Sequence, residues 1–235
     1  TDEQLAIKEA LLYKWAGGNT IVELSIRGMA RDPLGLARIA RATGLNVIMG
    51  AGYYIEASHP PELATMTEEE ITEEIVRDIM VGVDDTGVRA GIIGEIGCSI
   101  PLGDNERKVL RASAAAQQRT GAALNIHPSF SDDLVLENIK IIGDAGADLS
   151  RTIIDHLDGT VIQFSPATIR KIADAGCYIE FDTFGQPVLP YILPHRLITT
   201  EGRLVGRRSE VDRINAIKCL IDDGYLNHIL ISHDI

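Results

Sequence analysis

Asp174-Ala175-Gly176-Cys177-Tyr178-Ile179-Glu180-Phe181 closes a helix, turns on a glycine and enters a short apolar run. The same unit recurs along the chain. Ala42-Thr43-Gly44 precedes the apolar run 45–49, and Arg119-Thr120-Gly121 precedes 122–126. Asp144-Ala145-Gly146 stands ahead of 152–154, and Asp222-Asp223-Gly224 ahead of 229–232. Glycine suits the left-handed residue that ends a helix. A short, nearly continuous apolar run reads as a parallel strand buried on both faces. Counted this way, strands fall near 20–25, 45–50, 89–95, 122–127, 151–156, 177–182 and 228–233, and strand–helix alternation predicts an α/β fold.

The helices between them have readable starts. Thr67 with Glu70 predicts a capping box, and Ile71, Ile75 and Ile79 then share one face. Asp32-Pro33 and Ser165-Pro166 set a capping side chain before a proline at the first helical position, and Ser209 with Asp212 resembles such a cap. Ile7, Leu11 and Trp15 predict the packed face of the first helix.

The chain has 235 residues, enough for one large domain, and is 45 % hydrophobic. Its 22 Lys+Arg against 34 Asp+Glu give 22 − 34 = −12. That acidity argues against nucleic acid and anionic membrane, both of which need a basic face. No apolar run is long enough for a transmembrane helix, and no signal peptide is visible. Cys98, Cys177 and Cys219 lack CxxC spacing, which predicts reduced thiols and a cytoplasmic setting.

Two α/β architectures compete, the open doubly wound sheet and the closed (β/α)8 barrel. A dinucleotide site needs G-x-G-x-x-G. Gly50-Ala51-Gly52-Tyr53-Tyr54-Ile55 lacks the third glycine and sets rings where a pyrophosphate would approach. The strand ends carry the chemistry instead: Gly94-Glu95, Asn125-Ile126-His127, Asp155-His156-Leu157-Asp158, Glu180 and Asp182, and Ser232-His233-Asp234. Charged and imidazole groups closing apolar runs cost free energy to bury unless paired or bound to a cation. Histidines and carboxylates gathered at one mouth suit zinc or manganese.

These strings, ordered along the whole chain from Gly91-Ile92-Ile93-Gly94-Glu95-Ile96-Gly97-Cys98 to Ser232-His233-Asp234, resemble the phosphotriesterase-related proteins of the amidohydrolase superfamily. The resemblance implies a (β/α)8 TIM barrel whose binuclear metal centre activates a bridging hydroxide. It matches Glu95 to the carboxylate bridging the metals, where many relatives carry a carboxylated lysine. It matches His127 and His156 to the ligands of the more exposed metal. It matches Asp234 to the ligand of the buried metal that also accepts a proton from the attacking water. The family's first-strand His-x-His is absent, since no two of His59, His127, His156, His195, His228 and His233 stand two apart. Residues 1–235 therefore read as a single barrel domain, strands two to eight of a longer protein, lacking strand one and the last helix.

The implied activity is a metal-dependent hydrolase cleaving an amide, an ester or lactone, or a phosphoester, with amidase or esterase/lactonase ahead of true phosphotriesterase, in a catabolic role. The implied cofactors are two zinc ions, with manganese or cobalt as substitutes, and no organic cofactor. A small-molecule substrate is expected, with neither nucleic acid nor membrane as partner; a homodimer is compatible with the resemblance. The competing reading is an inactive barrel that binds a ligand or partner. Tyr53 and Tyr54 are candidate pocket walls. The segment 185–208 is the longest without helix signals, and its Arg196 and Arg203 are candidates for an anionic substrate group, with Arg207, Arg208 and Arg213 in the same basic cluster. Plain surface arginines are an equal reading. His233 points away from Asp234 on its strand, His228 reads as structural, and Asp158 reads as orienting a ligand or relaying a proton, or equally as capping the next helix.

Overall fold

The computed structural model describes residues 2–158, 164–185 and 209–234. Seven strands, β1 (Thr20–Glu23), β2 (Asn46–Ala51), β3 (Ile92–Gly97), β4 (Ala123–His127), β5 (Thr152–Ile154), β6 (Tyr178–Phe181) and β7 (Ile229–Ile231), form one parallel sheet in chain order. Helices separate them: α1 (Glu3–Trp15) before β1, then α2 (Pro33–Thr43), α3 (Glu68–Met80), α4 (Asp104–Thr120), α5 (Asp132–Asp144), α6 (Pro166–Asp174) and α7 (Glu210–Asp222). This is the α/β fold expected from the strand–glycine–helix unit, and its seven parallel strands in chain order fit the barrel that the resemblance implies. Among the described residues no helix is long and apolar enough to cross a membrane.

The local signals act as read. Gly44, Gly121, Gly146, Gly176 and Gly224 all have positive φ just past a helix. Thr67 and Glu70 exchange bonds, the Glu70 N–H donating to Thr67 Oγ1 at 3.2 Å and the Thr67 N–H to Glu70 Oε2 at 2.7 Å. Ser209 and Asp212 form the same box at the start of α7. Ile71 and Ile75 are buried under α3, joining Ile93, Ile96, Leu124, Ile126, Ile154, Ile179 and Phe181 in the core.

Two expectations are corrected. β1 and β7 are half exposed rather than covered on both faces, because each pairs with a neighbour on one side only among the described residues. On α1 the packed face runs through Ile7 and Leu11 but ends before Trp15, which is 74 % exposed. That helix is held by polar contacts instead: Arg38 pairs with Glu3 at 2.8 Å and Lys14 Nζ donates to the Gly44 carbonyl at 3.2 Å.

The register between β3 and β4 shifts. Ile93 pairs with Leu124 but Ile96 pairs with Ile126, so β3 carries one extra residue at Gly94-Glu95. A bulge of this kind bends the strand and re-aims a side chain. Gly94 sits at φ +125 with its α-carbon so close to β4 that a Cβ would lie 2.3 Å from the Asn125 carbonyl oxygen, a position only glycine fills without displacement.

Candidate metal centre

The bulge presents Glu95 at the C-terminal end of the sheet. His127 is the last residue of β4, and His156 follows β5 by two residues in a left-handed conformation, φ 56. Three neighbouring strands thus deliver three donors to one point. Glu95 Oε1 lies 2.6 Å from His127 Nδ1 and 3.0 Å from His156 Nε2, and the two ring nitrogens are 2.8 Å apart. All three side chains are 11–13 % exposed, so the cluster is sheltered yet open at one side. Two imidazoles and a carboxylate are the donor types that hold zinc or manganese, and three donors leave an open position for water and substrate. Among the described residues, these form the one group of three or more such side chains within ligand distance of one another.

The electrostatics are those of a strongly coupled cluster. Burial would raise the Glu95 carboxyl, but the hydrogen bonds and charges of His127 and His156 outweigh it and hold the group down at about 2. Burial disfavours protonated His156, yet the hydrogen bonds to Asp182 and Glu95 lift it to about 11. Without a metal the site therefore holds an imidazolium between two carboxylates, and a divalent cation would take that proton's place.

Aromatic rings frame the cluster. Tyr54 Oη is 3.1 Å from His127 Nδ1, with its ring edge-on to the imidazole at 4.9 Å. Phe130 meets the same imidazole from its own side at 5.1 Å and lies 5.8 Å from the His156 ring. Burial first, then the charges of Glu95, Asp234 and Asp155, push the Tyr54 hydroxyl above its ordinary range, so it stays protonated. Near the three-donor group, buried Asp155 accepts from Asn125 Nδ2 at 2.7 Å, and Ser232 Oγ donates to Glu180 at 2.7 Å. Burial, then the charge of Glu180, raise Asp155 well above the carboxylate range.

The remaining sequence-predicted residues divide. Asp234 follows β7, exposed and outside the three-donor group, near enough for its charge to act on Tyr54. Tyr53 is not beside the cluster: it is fully buried, its hydroxyl 3.9 Å from Met66 Sδ and the Arg27 guanidinium 5.7 Å from its ring. Arg196 and Arg203 lie outside the described residues, as do His195, Arg207 and Arg208. Arg213 leaves the basic cluster altogether, since it is fully buried with its Nε 2.9 Å from Asp158 Oδ2. Asp158 is completely buried and accepts from Arg213 and Thr183. His228 is structural, Nδ1 lying 3.1 Å from the Cys177 carbonyl. Phe130 and Asp182 were not assigned a role from sequence. The signal for Asp182 was its place at the end of β6, level with the other strand-end groups; Phe130 had none.

Comparison with known proteins accords with this geometry. Residues 2–235 match the Phosphotriesterase family. The chain is 44 % identical over 232 residues to the N-acetyltaurine hydrolase of Dictyostelium discoideum, spanning 99 % of this chain and 60 % of that protein. It thus covers less than two thirds of the length of such relatives. A resiniferatoxin-binding protein from Rhodobacter sphaeroides superposes with TM-score 0.88 at 36 % identity, covering 100 % of this chain and 62 % of that one. The phosphotriesterase homology protein from Escherichia coli, solved with phosphate in its active site, gives 0.86 at 30 % identity, covering 100 % and 74 %.

Proposed function

This chain belongs to the phosphotriesterase family, and from that premise we propose that it forms the metal-binding part of a divalent-metal hydrolase that cleaves the amide of a small N-acylated compound. One observation carries the reading: Glu95, His127 and His156 bring three ligand atoms of the right chemistry to one sheltered point. Glu95, His127 and His156 would hold the ion, and Asp234 would help to hold a second one. A bound divalent cation supplies Lewis-acid polarisation of the scissile oxygen and lowers the pKa of water. Zinc fits the donor set best, with manganese or cobalt able to substitute.

The chain's own groups supply the rest. Water adds to the acyl carbon, the C–N bond breaks, and a carboxylic acid and an amine leave. Asp234 accepts the proton that the attacking water gives up and returns it to the departing nitrogen. Tyr54, kept protonated, donates its hydroxyl to the oxygen on which charge develops. Phe130 and the Tyr54 ring keep bulk water off the two imidazoles. Arg196 and Arg203 are assigned from sequence to the anionic end of a substrate. The name shared by several relatives, N-acetyltaurine hydrolase, supports a small anionic N-acyl compound over a phosphotriester.

The test incubates the zinc-loaded protein with N-acetyltaurine and follows release of the free amine, beside a phosphotriester control. Amide turnover that fails in Glu95→Ala together with loss of bound metal is expected. Undiminished metal content and rate in that variant would overturn the assignment.

A further inference from the structure

His156 uses both ring nitrogens. Nε2 faces Glu95 and His127, while Nδ1 lies 2.6 Å from Asp182 Oδ2. The same carboxylate oxygen accepts the backbone N–H of His156 at 2.8 Å. One oxygen therefore fixes both the ring and the main chain of a residue held at φ 56, a region that residues with a Cβ rarely enter. Asp182 is itself immobilised. Its backbone N–H donates to Asp158 Oδ1 at 3.4 Å, and the next N–H, of Thr183, donates to Asp158 Oδ2 at 3.1 Å. Asp158 is anchored by Arg213 of α7, and both side chains of that ion pair are completely buried.

We propose that Asp182 is the positioning residue of the metal centre: it holds the Nδ1–H of His156 and its main-chain N–H together, so that Nε2 is the nitrogen offered to the cation. The inference rests on the metal-site reading and extends it to a residue outside the ligand set. The physical reason is general. A ligating imidazole binds through one nitrogen only if the proton resides on the other, and a carboxylate at that other nitrogen selects the tautomer, the ring angle and the basicity. His127 is flanked by the rings of Tyr54 and Phe130. The two imidazoles thus differ in how they are held, and His156 depends on Asp182. The Arg213–Asp158 pair carries that constraint back to α7.

Zinc titration by calorimetry separates this proposal from the reading beneath it. If the unaltered protein takes up no zinc, the metal centre itself is refuted. If it does, Asp182→Ala is expected to weaken binding by about 10- to 100-fold. Asp182→Asn retains an oxygen for both N–H groups but not the charge, and is expected between the two, at least about threefold weaker than the unaltered protein. A merely structural Asp182 would lower the thermal midpoint of the metal-free protein and leave the zinc affinity of folded molecules unchanged; that result overturns the proposal. Should the alanine variant fail to fold, an asparagine variant with unaltered affinity overturns it equally. As a second readout, long-range 1H–15N spectra of the zinc-loaded protein should show His156 as the Nδ1–H tautomer, and a mixture in Asp182→Asn. An unchanged single tautomer in both variants would count against the assignment.

Discussion

Glu106 offers the sharpest test of how the site's scaffold is held. Its side chain, on the first turn of α4, is completely buried. Oε1 accepts from the Glu56 N–H at 2.9 Å and the Ser99 hydroxyl at 2.6 Å; Oε2 accepts from the N–H groups of Gly103 at 2.9 Å and Ser99 at 3.0 Å. One carboxylate thereby ties the loop after β2, which carries Tyr54, to the loop after β3, which follows Glu95. Glu106→Gln is nearly isosteric, yet even in the better flip, toward Glu56 and the Ser99 hydroxyl, its amide nitrogen faces the Glu56 N–H, leaving that N–H and one amide hydrogen unsatisfied. Each buried polar group left unsatisfied costs about 1–3 kcal/mol, so two cost about 2–6 kcal/mol, and water entering the loops brings this toward about 3 kcal/mol. That is a large share of a total stability of about 5–15 kcal/mol. For a chain of this size it lowers the thermal midpoint by about 6–12 °C, at about 2–4 °C per kcal/mol.

The pH dependence adds a second check on the same variant. Burial pushes the Glu106 carboxyl up, but the bonds from the Ser99 hydroxyl and the three N–H groups outweigh it and leave the group below its ordinary value. A carboxyl lowered in the folded state contributes stability fully above its unfolded pKa, about 4.3, and loses it as pH falls through the folded value. The gap between the parent protein and Glu106→Gln should be constant above about pH 5 and shrink in more acidic solution. Urea unfolding at a series of pH values measures it. A gap under about 0.5 kcal/mol at neutral pH, the range of ordinary surface changes, or one that widens on acidification, would refute the reasoning.

Other substitutions follow from equally local geometry. Gly94→Ala drives a Cβ to 2.3 Å from the Asn125 carbonyl oxygen at φ +125; strain of about 1–3 kcal/mol should displace Glu95, and metal analysis should find zinc content reduced alongside the melting temperature. Arg213→Met strands the buried charge of Asp158 and should cost about 3–5 kcal/mol. Adding Asp158→Asn, whose oxygen still accepts the Thr183 N–H, should recover part of that, as a double-mutant cycle in urea would show. Trp15→Ser removes a ring that is 74 % exposed, so its unfolding midpoint should stay within about 0.5 kcal/mol of the parent.

The sequence was legible wherever a signal was local. Thr67–Glu70 and Ser209–Asp212 act within one helical turn, and the five helix-ending glycines act within one residue, so elements and order could be read without knowing any tertiary contact. The three strand-end donors were readable because each closes an apolar run. Their meeting depends on more. Glu95 reaches the histidines through a bulge that no alternation rule announces. Tyr53 and Tyr54 are adjacent and chemically alike, and only the path of the chain after β2 decides that the second faces the cluster while the first enters the core. Arg213 stands in the sequence among surface-like arginines, but α7 aims it inward at a carboxylate 55 positions away. Asp182 was visible as a strand-end carboxylate; its partner's left-handed backbone, which makes the contact possible, was not.

The donors follow one another along the chain in the same order in which their strands lie in the sheet. The donors Glu95, His127 and His156 come from β3, β4 and β5, and Asp182, which holds His156, from β6, each strand a neighbour of the next. Successive donors are therefore one strand–helix crossover apart, and closing such short loops costs little chain entropy. The coordination point can assemble within a contiguous block from Ile92 to Asp182, before α1 or β1 has docked. A cation bound there would report on a cooperative subunit of the fold rather than on the whole. In amide hydrogen exchange, zinc should slow β3 to β6 strongly and leave α1 and β1 exchanging at their metal-free rates.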